Sequence, residues 1–204
     1  APRPSGDAPV RSGDVFRRPV LYLFASVTFL YTACEFGVWN WLPKYLIARG
    51  IPESTALTIL SLGFALGLLL GRVVVAPVLM RVPPLTVTVA AAALMAATTY
   101  AMLHTGDPRT AAIVVFCGGL AMAPVFPTTI AMVGNYFRSG TATAIGFAIT
   151  CGFSGLTLSS PVIGWLSGAD PQGIGRGLLV LPAASLAIIG VCALLHRTLE
   201  RQGT

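Results

Sequence analysis

The stretch from Leu21 to Leu42, LYLFASVTFLYTACEFGVWNWL, is apolar along its length yet carries a carboxylate, Glu35, in its interior. A helix of about 20 apolar residues spans the hydrocarbon core of a bilayer. An ionised carboxylate is costly there, so such a residue normally faces protein or a water-filled cavity. At about 100° per residue, Thr28, Tyr31, Thr32, Glu35 and Trp39 fall on one face, while Leu30, Phe36 and Val38 point elsewhere. The pattern predicts a membrane helix with one polar and aromatic stripe that is not meant for lipid.

Composition supports the membrane. The chain is 55% hydrophobic and only 10% charged, whereas a soluble domain carries about 25% charge. Long apolar runs, rather than short alternating ones, argue for helices over a barrel. Six spans are expected: Leu21–Leu42 ended by Pro43, Ser54 to Met80, Leu85–Leu103, Thr110–Gly134, Thr141–Leu166 and Leu178–Leu195. Asp107 is the expected N-cap of the fourth, with Pro108 in its first turn. The fold class is thus an all-α membrane protein, a six-transmembrane-helix bundle over residues 20–196. Residues 1–19, rich in Pro, Gly and Arg, read as a disordered cytoplasmic linker, and residues 197–204 as a cytoplasmic tail.

The net charge of +6 would suggest nucleic acid in a soluble protein. Here the basic residues sit mostly in short connections between helices, so they bear on orientation instead, and no nucleic-acid partner is expected. An even number of spans puts both ends on one side, with Arg3, Arg11, Arg17, Arg18, Arg81, Arg138, Arg197 and Arg201. Lys44, Arg49, Arg109 and Arg176 lie on the other. That asymmetry predicts cytoplasmic termini in a cell (inner) membrane. Cys34, Cys117, Cys151 and Cys192 lie inside apolar segments, far apart, with no metal-ligand spacing. Neither a metal nor a cofactor is expected.

Three spans carry special features. In the second, Gly63, Gly67 and Gly71 line one face, the spacing that lets another backbone approach closely. Arg72 lies about opposite Gly63 on the helical wheel, with Thr58, Ser61 and Ala65. In the fourth, Pro124 and Pro127 remove two backbone donors and predict a break. In the fifth, Gly146, Gly152, Gly155, Pro161 and Gly164 predict another irregular helix.

These residues resemble a known family. FLYTACEFGVWNWLPKYL, from Phe29 to Leu46, is similar to the seventh helix of the sugar-permease-like branch, which includes fucose permeases, of the major facilitator superfamily. Leu70-Gly71-Arg72 resembles that branch's eighth helix, GLAMAPVFPT (Gly119 to Thr128) its tenth, and PVIGWL (Pro161 to Leu166) its eleventh. The acid-and-basic loop signature usual after the eighth helix is replaced by Val73 to Met80, which holds no acid. The resemblance implies the C-terminal half of a twelve-helix transporter. A complementary N-terminal six-helix half, or a second copy, would complete it.

The expected function is secondary active transport of a small polar solute, which the resemblance suggests is a sugar, by proton-coupled alternating access. The competing reading is a truncated, non-transporting membrane module that assembles with other membrane proteins through the glycine face. An intramembrane enzyme is disfavoured, since the chain has no His-Glu-x-x-His, no Gly-x-Ser-x-Gly and no paired intramembrane aspartates. The substrate and proton pathway is expected at Glu35, Arg72, Tyr31, Thr32, Trp39 and Asn40, with no catalytic residue. Asn40 requires a helix break near Gly37 to join the others. Glu35 also reads as a permanently protonated packing acid, and Arg72 as an arginine snorkelling to the surface. Depth separates them: counted along their helices they differ by roughly 10 Å, which argues against a direct bond.

Overall fold

The computed structural model describes residues 12–203. Among them the secondary structure is helical, with no strand. Among the described residues, six helices are long and apolar enough to cross a membrane: Pro19–Ala48, Glu53–Leu79, Pro84–Met102, Pro108–Tyr136, Thr141–Ser167 and Pro171–Arg201. Each expected span is therefore present, and most run longer than the apolar run alone indicates.

In chain order the elements are α1 (Ser12–Phe16), α2 (Pro19–Ala48), α3 (Glu53–Thr58), a π segment (Ile59–Phe64), α4 (Ala65–Leu79) and α5 (Pro84–Met102). Then follow α6 (Pro108–Met122), α7 (Val125–Tyr136), α8 (Thr141–Ser167), a 3-10 turn (Pro171–Gly173), α9 (Ile174–Leu178) and α10 (Val180–Gly203). The starts are legible in local chemistry. Pro19, Pro84 and Pro108 stand in first turns, where a missing N–H costs nothing. The Asp107 carboxylate accepts from the backbone N–H groups of Arg109 and Thr110, both at 3.0 Å. Gly50 and Gly140 make turns with φ of 86° and 99°, a region that L side chains avoid.

Several boundaries differ from expectation. Pro43 does not end α2, which continues to Ala48. The proline deletes one ladder bond, and the turn beyond it is held by burial of Tyr45 and Leu46. Pro161 does not break α8 either; that helix is continuous from Thr141 to Ser167. The break expected at Pro124 is real, falling between Met122 and Val125. Pro127 belongs to the first turn of α7, where its absent donor would be an orphan anyway. The linker expected over residues 1–19 folds in part: Ser12–Phe16 is a helix, and Val15 is buried beside the start of α8. Residues 1–11 lie outside the described residues. The tail is a continuation of α10 as far as Gly203.

Helix α2 is the centre of the bundle. It packs against α8 on one side and α10 on another, and touches α7. The seam with α8 is close because Gly152 and Gly155 present no side chain there. A Cβ at Gly155 would collide with the Phe29 carbonyl. The Thr28 hydroxyl reaches the Ala148 carbonyl at 2.9 Å, and the Thr32 hydroxyl reaches that of Gly152. Elsewhere α4 packs on α6, and α5 lies against α6 and α10. The glycine face is used within the chain. A Cβ on Gly67 would overlap the Phe116 carbonyl, and one on Gly71 would lie 2.5 Å from the Ala123 Cβ.

Candidate functional site

Tyr31, Thr32, Glu35 and Phe36 stand at i, i+1, i+4 and i+5 of α2, so they share one face. That face closes one wall of a cavity of about 190 Å³. Arg72 of α4 and Phe126 of α7 form a second wall, and Ile149, Phe153 and Leu156 of α8 a third. The break between α6 and α7 brings Phe126 in: its ring centroid lies 6.1 Å from that of Tyr31.

The polar groups are few and distinct. Glu35 is half-buried and interacts with the side chains of Tyr31, Arg72 and Trp39. No salt bridge joins Glu35 to Arg72, although both line the same cavity. The Tyr31 hydroxyl is buried and approaches Glu35 without making a hydrogen bond of good geometry, so it is an unpartnered polar atom. The Thr32 hydroxyl is already committed to backbone carbonyls of Thr28 at 3.0 Å, Phe29 at 3.1 Å and Gly152.

Of the six residues singled out by sequence, four line the cavity: Tyr31, Thr32, Glu35 and Arg72. Trp39 does not line it; its ring packs edge-on against Phe64, with centroids 5.3 Å apart. It still reaches Glu35 from one turn along α2. Asn40 is outside. With α2 unbroken at Gly37, its amide donates to the Ser160 hydroxyl at 3.2 Å. Thr58 and Ser61, which the helical wheel groups with Arg72, do not line the cavity. The π segment Ile59–Phe64 changes the residues per turn between Thr58 and Arg72, so the plain α-helical wheel does not hold across it. Thr58 and Ser61 bond back to the carbonyls of Ser54 and Leu57, each at 2.8 Å.

Five lining residues were missed by the sequence reading: Phe36, Phe126, Ile149, Phe153 and Leu156. Phe36 was expected to point elsewhere, but a neighbour only one residue from Glu35 reaches the same wall with a large ring. Phe126 had a signal, since it sits between the two prolines of the break. The α8 residues had none, because their role depends on α8 lying along α2.

The sequence model of the Major Facilitator Superfamily matches residues 1–160. The chain belongs to that superfamily. No curated protein and no solved structure matched the chain. Membership makes this a multi-pass membrane protein of a family that moves small solutes across bilayers. In a major facilitator chain, a cavity that holds the mid-span charges Glu35 and Arg72 is the natural candidate for the solute site.

Proposed function

We propose that the chain is the C-terminal half of a secondary transporter that moves a small polar solute by proton-coupled alternating access. Glu35 carries this reading: a carboxyl group within a membrane span, on the wall of a cavity built from four helices. Burial disfavours the charged form, and water entering the cavity restores it. A group alternately buried and wetted can take up and release a proton as two states exchange. The complementary six helices, or a second copy, would close the open side of the cavity. The resemblance to sugar permeases supports a sugar as the solute, and the arginine asymmetry supports cytoplasmic termini in an inner membrane.

The competing reading, a non-transporting module, drew on the glycine face as a docking surface. Gly67 and Gly71 are filled by Phe116, Leu120 and Ala123 of the same chain, so that face is not open to a partner. The test is Glu35→Gln in the whole protein reconstituted in liposomes. This variant keeps the shape but cannot ionise. It is expected to lose proton-driven accumulation and retain exchange between equal concentrations. Unimpaired accumulation removes Glu35 from the coupling mechanism.

A further inference from the structure

We propose that the cleft between α4 and α5 is a binding site for an anionic phospholipid, with one acyl chain in the cleft and the headgroup at Arg81.

The first argument is the packing. Helices α4 and α5 are joined by only four residues, Met80 to Pro83. Both pack on α6, yet they do not pack along each other. They splay from the loop and leave a cleft of about 270 Å³, larger than the Glu35 cavity of about 190 Å³. Ala90 and Ala91 of α5 keep it open, and Leu120, Ala121 and Pro124 form its floor. Protein interiors hold few voids larger than a water molecule. A space of this size inside a bilayer is filled either by protein or by a lipid chain.

The second argument is place. The Glu35 cavity is walled by α2, α4, α7 and α8, and its open side is where further helices would stand. Helix α5 gives that cavity no residue and packs on neither α2 nor α8. On the α4 wheel, Val78 in the cleft lies about 120° from Arg72 in the cavity. The break between α6 and α7 stands between the two, touching the cleft through Pro124 and the cavity through Phe126. The cleft therefore opens away from the cavity, on the side that faces lipid.

The third argument is length and charge. Along α5 the lining runs from Thr86 to Leu94, a rise of about 12 Å. The hydrocarbon of one leaflet is about 15 Å deep. The cleft thus suits an acyl chain that enters at the membrane surface and ends near the midplane. At the surface end lies the α4–α5 loop, where Val78 and Val82 line the cleft and Arg81 stands between them in sequence. Arg81 is exposed, and it is the sole charged residue from Val73 to Leu103, so no acid of that stretch neutralises it. A guanidinium takes a phosphate through two parallel donors. One arginine at the surface favours an anionic lipid by about fivefold.

The test uses the whole protein in nanodiscs of equal phosphatidylglycerol and phosphatidylcholine, with a diazirine midway along an acyl chain of one lipid or the other. After illumination, peptide mass spectrometry reads the labelling at Ala90, Leu94 and Leu120 against that at Leu186, an exposed residue of α10. The cleft residues are expected to label several-fold more than Leu186, and phosphatidylglycerol about fivefold more than phosphatidylcholine there. Ala90→Phe fills the cleft from an exposed position. It should abolish labelling at Leu94 and Leu120 and leave Leu186 unchanged. Arg81→Gln should bring the two lipids level without emptying the cleft. Cleft labelling no greater than that at Leu186 would mean bulk lipid only and overturns the site. An unlabelled cleft beside a labelled Leu186 would mean that protein covers it, which overturns the site as well. Equal labelling by the two lipids, or a preference that survives Arg81→Gln, overturns the anionic headgroup at Arg81.

Discussion

Gly67 of α4 and Gly119 of α6 meet backbone to backbone. A Cβ added to Gly67 would lie 3.1 Å from the Gly119 Cα, and one added to Gly119 would lie 3.1 Å from the Gly67 Cα. Both would also overlap a carbonyl of the opposite helix, that of Phe116 or of Phe64. The two glycines thus set the distance between the helix that carries Arg72 and the helix that leads into the break before Phe126. The cavity wall formed by Arg72 and Phe126 depends on that crossing.

Gly67→Ala should therefore destabilise the bundle by about 1–3 kcal/mol, the usual cost of overpacking a fixed contact. Gly63 provides the control, since its added Cβ would meet the Ala112 carbonyl at an ordinary 3.5 Å. Gly63→Ala should be neutral or slightly stabilising, because alanine is the better helix former. Thermal unfolding of both variants in the same detergent checks this. Equal melting temperatures would sink the close-crossing argument.

Much of this was legible in the sequence, and the reason for the rest is geometric. The six spans, the Asp107 cap, the break at Pro124 and the small face of α4 are local properties of the chain. Tyr31, Thr32 and Glu35 follow from one helical wheel. A wheel does not say what stands opposite, so Thr28 reads as part of the polar stripe and Thr32 as a pathway residue, although their hydroxyls reach Ala148 and Gly152 of α8. Nor does it register a π segment, which is why Arg72 was grouped with Thr58 and Ser61. Phe153 and Ile149 join the cavity only because α8 runs along α2, a pairing that no local pattern encodes.

The cap at Asp107 gives a prediction in pH. Hydrogen bonds from the Thr110 side chain, then from the backbone N–H groups of Thr110 and Arg109, hold its carboxyl below the usual aspartate range. The folded value is depressed, so the cap's contribution is fully present above the unfolded value of about 3.9. It is lost as pH falls through the lower folded value. Asp107→Ala should lower the melting temperature at pH 7, and the gap from the parent should shrink as the pH drops below about 4. A gap independent of pH would mean that the carboxylate charge plays no part in the cap.

The Tyr31 hydroxyl gives the last prediction, because stability and function should move apart there. The side chain is 1% exposed, its ring packs near Phe126, and its hydroxyl has no hydrogen-bond partner. A buried, unsatisfied hydroxyl carries a desolvation cost of about 1–3 kcal/mol. Tyr31→Phe removes that cost and leaves the ring packing in place, so the melting temperature should stay level or rise. A group retained at such a cost is expected to serve the site, where the solute or the Glu35 carboxyl engages it in another state. Transport by the variant should therefore show a higher KM or a lower rate despite the unchanged fold. The two readouts separate the possibilities. A clear fall in melting temperature would show that the hydroxyl bonds within the resting protein. Unaltered transport with raised stability would leave it outside the mechanism and assign the cavity's polar chemistry to Glu35 and Arg72 alone.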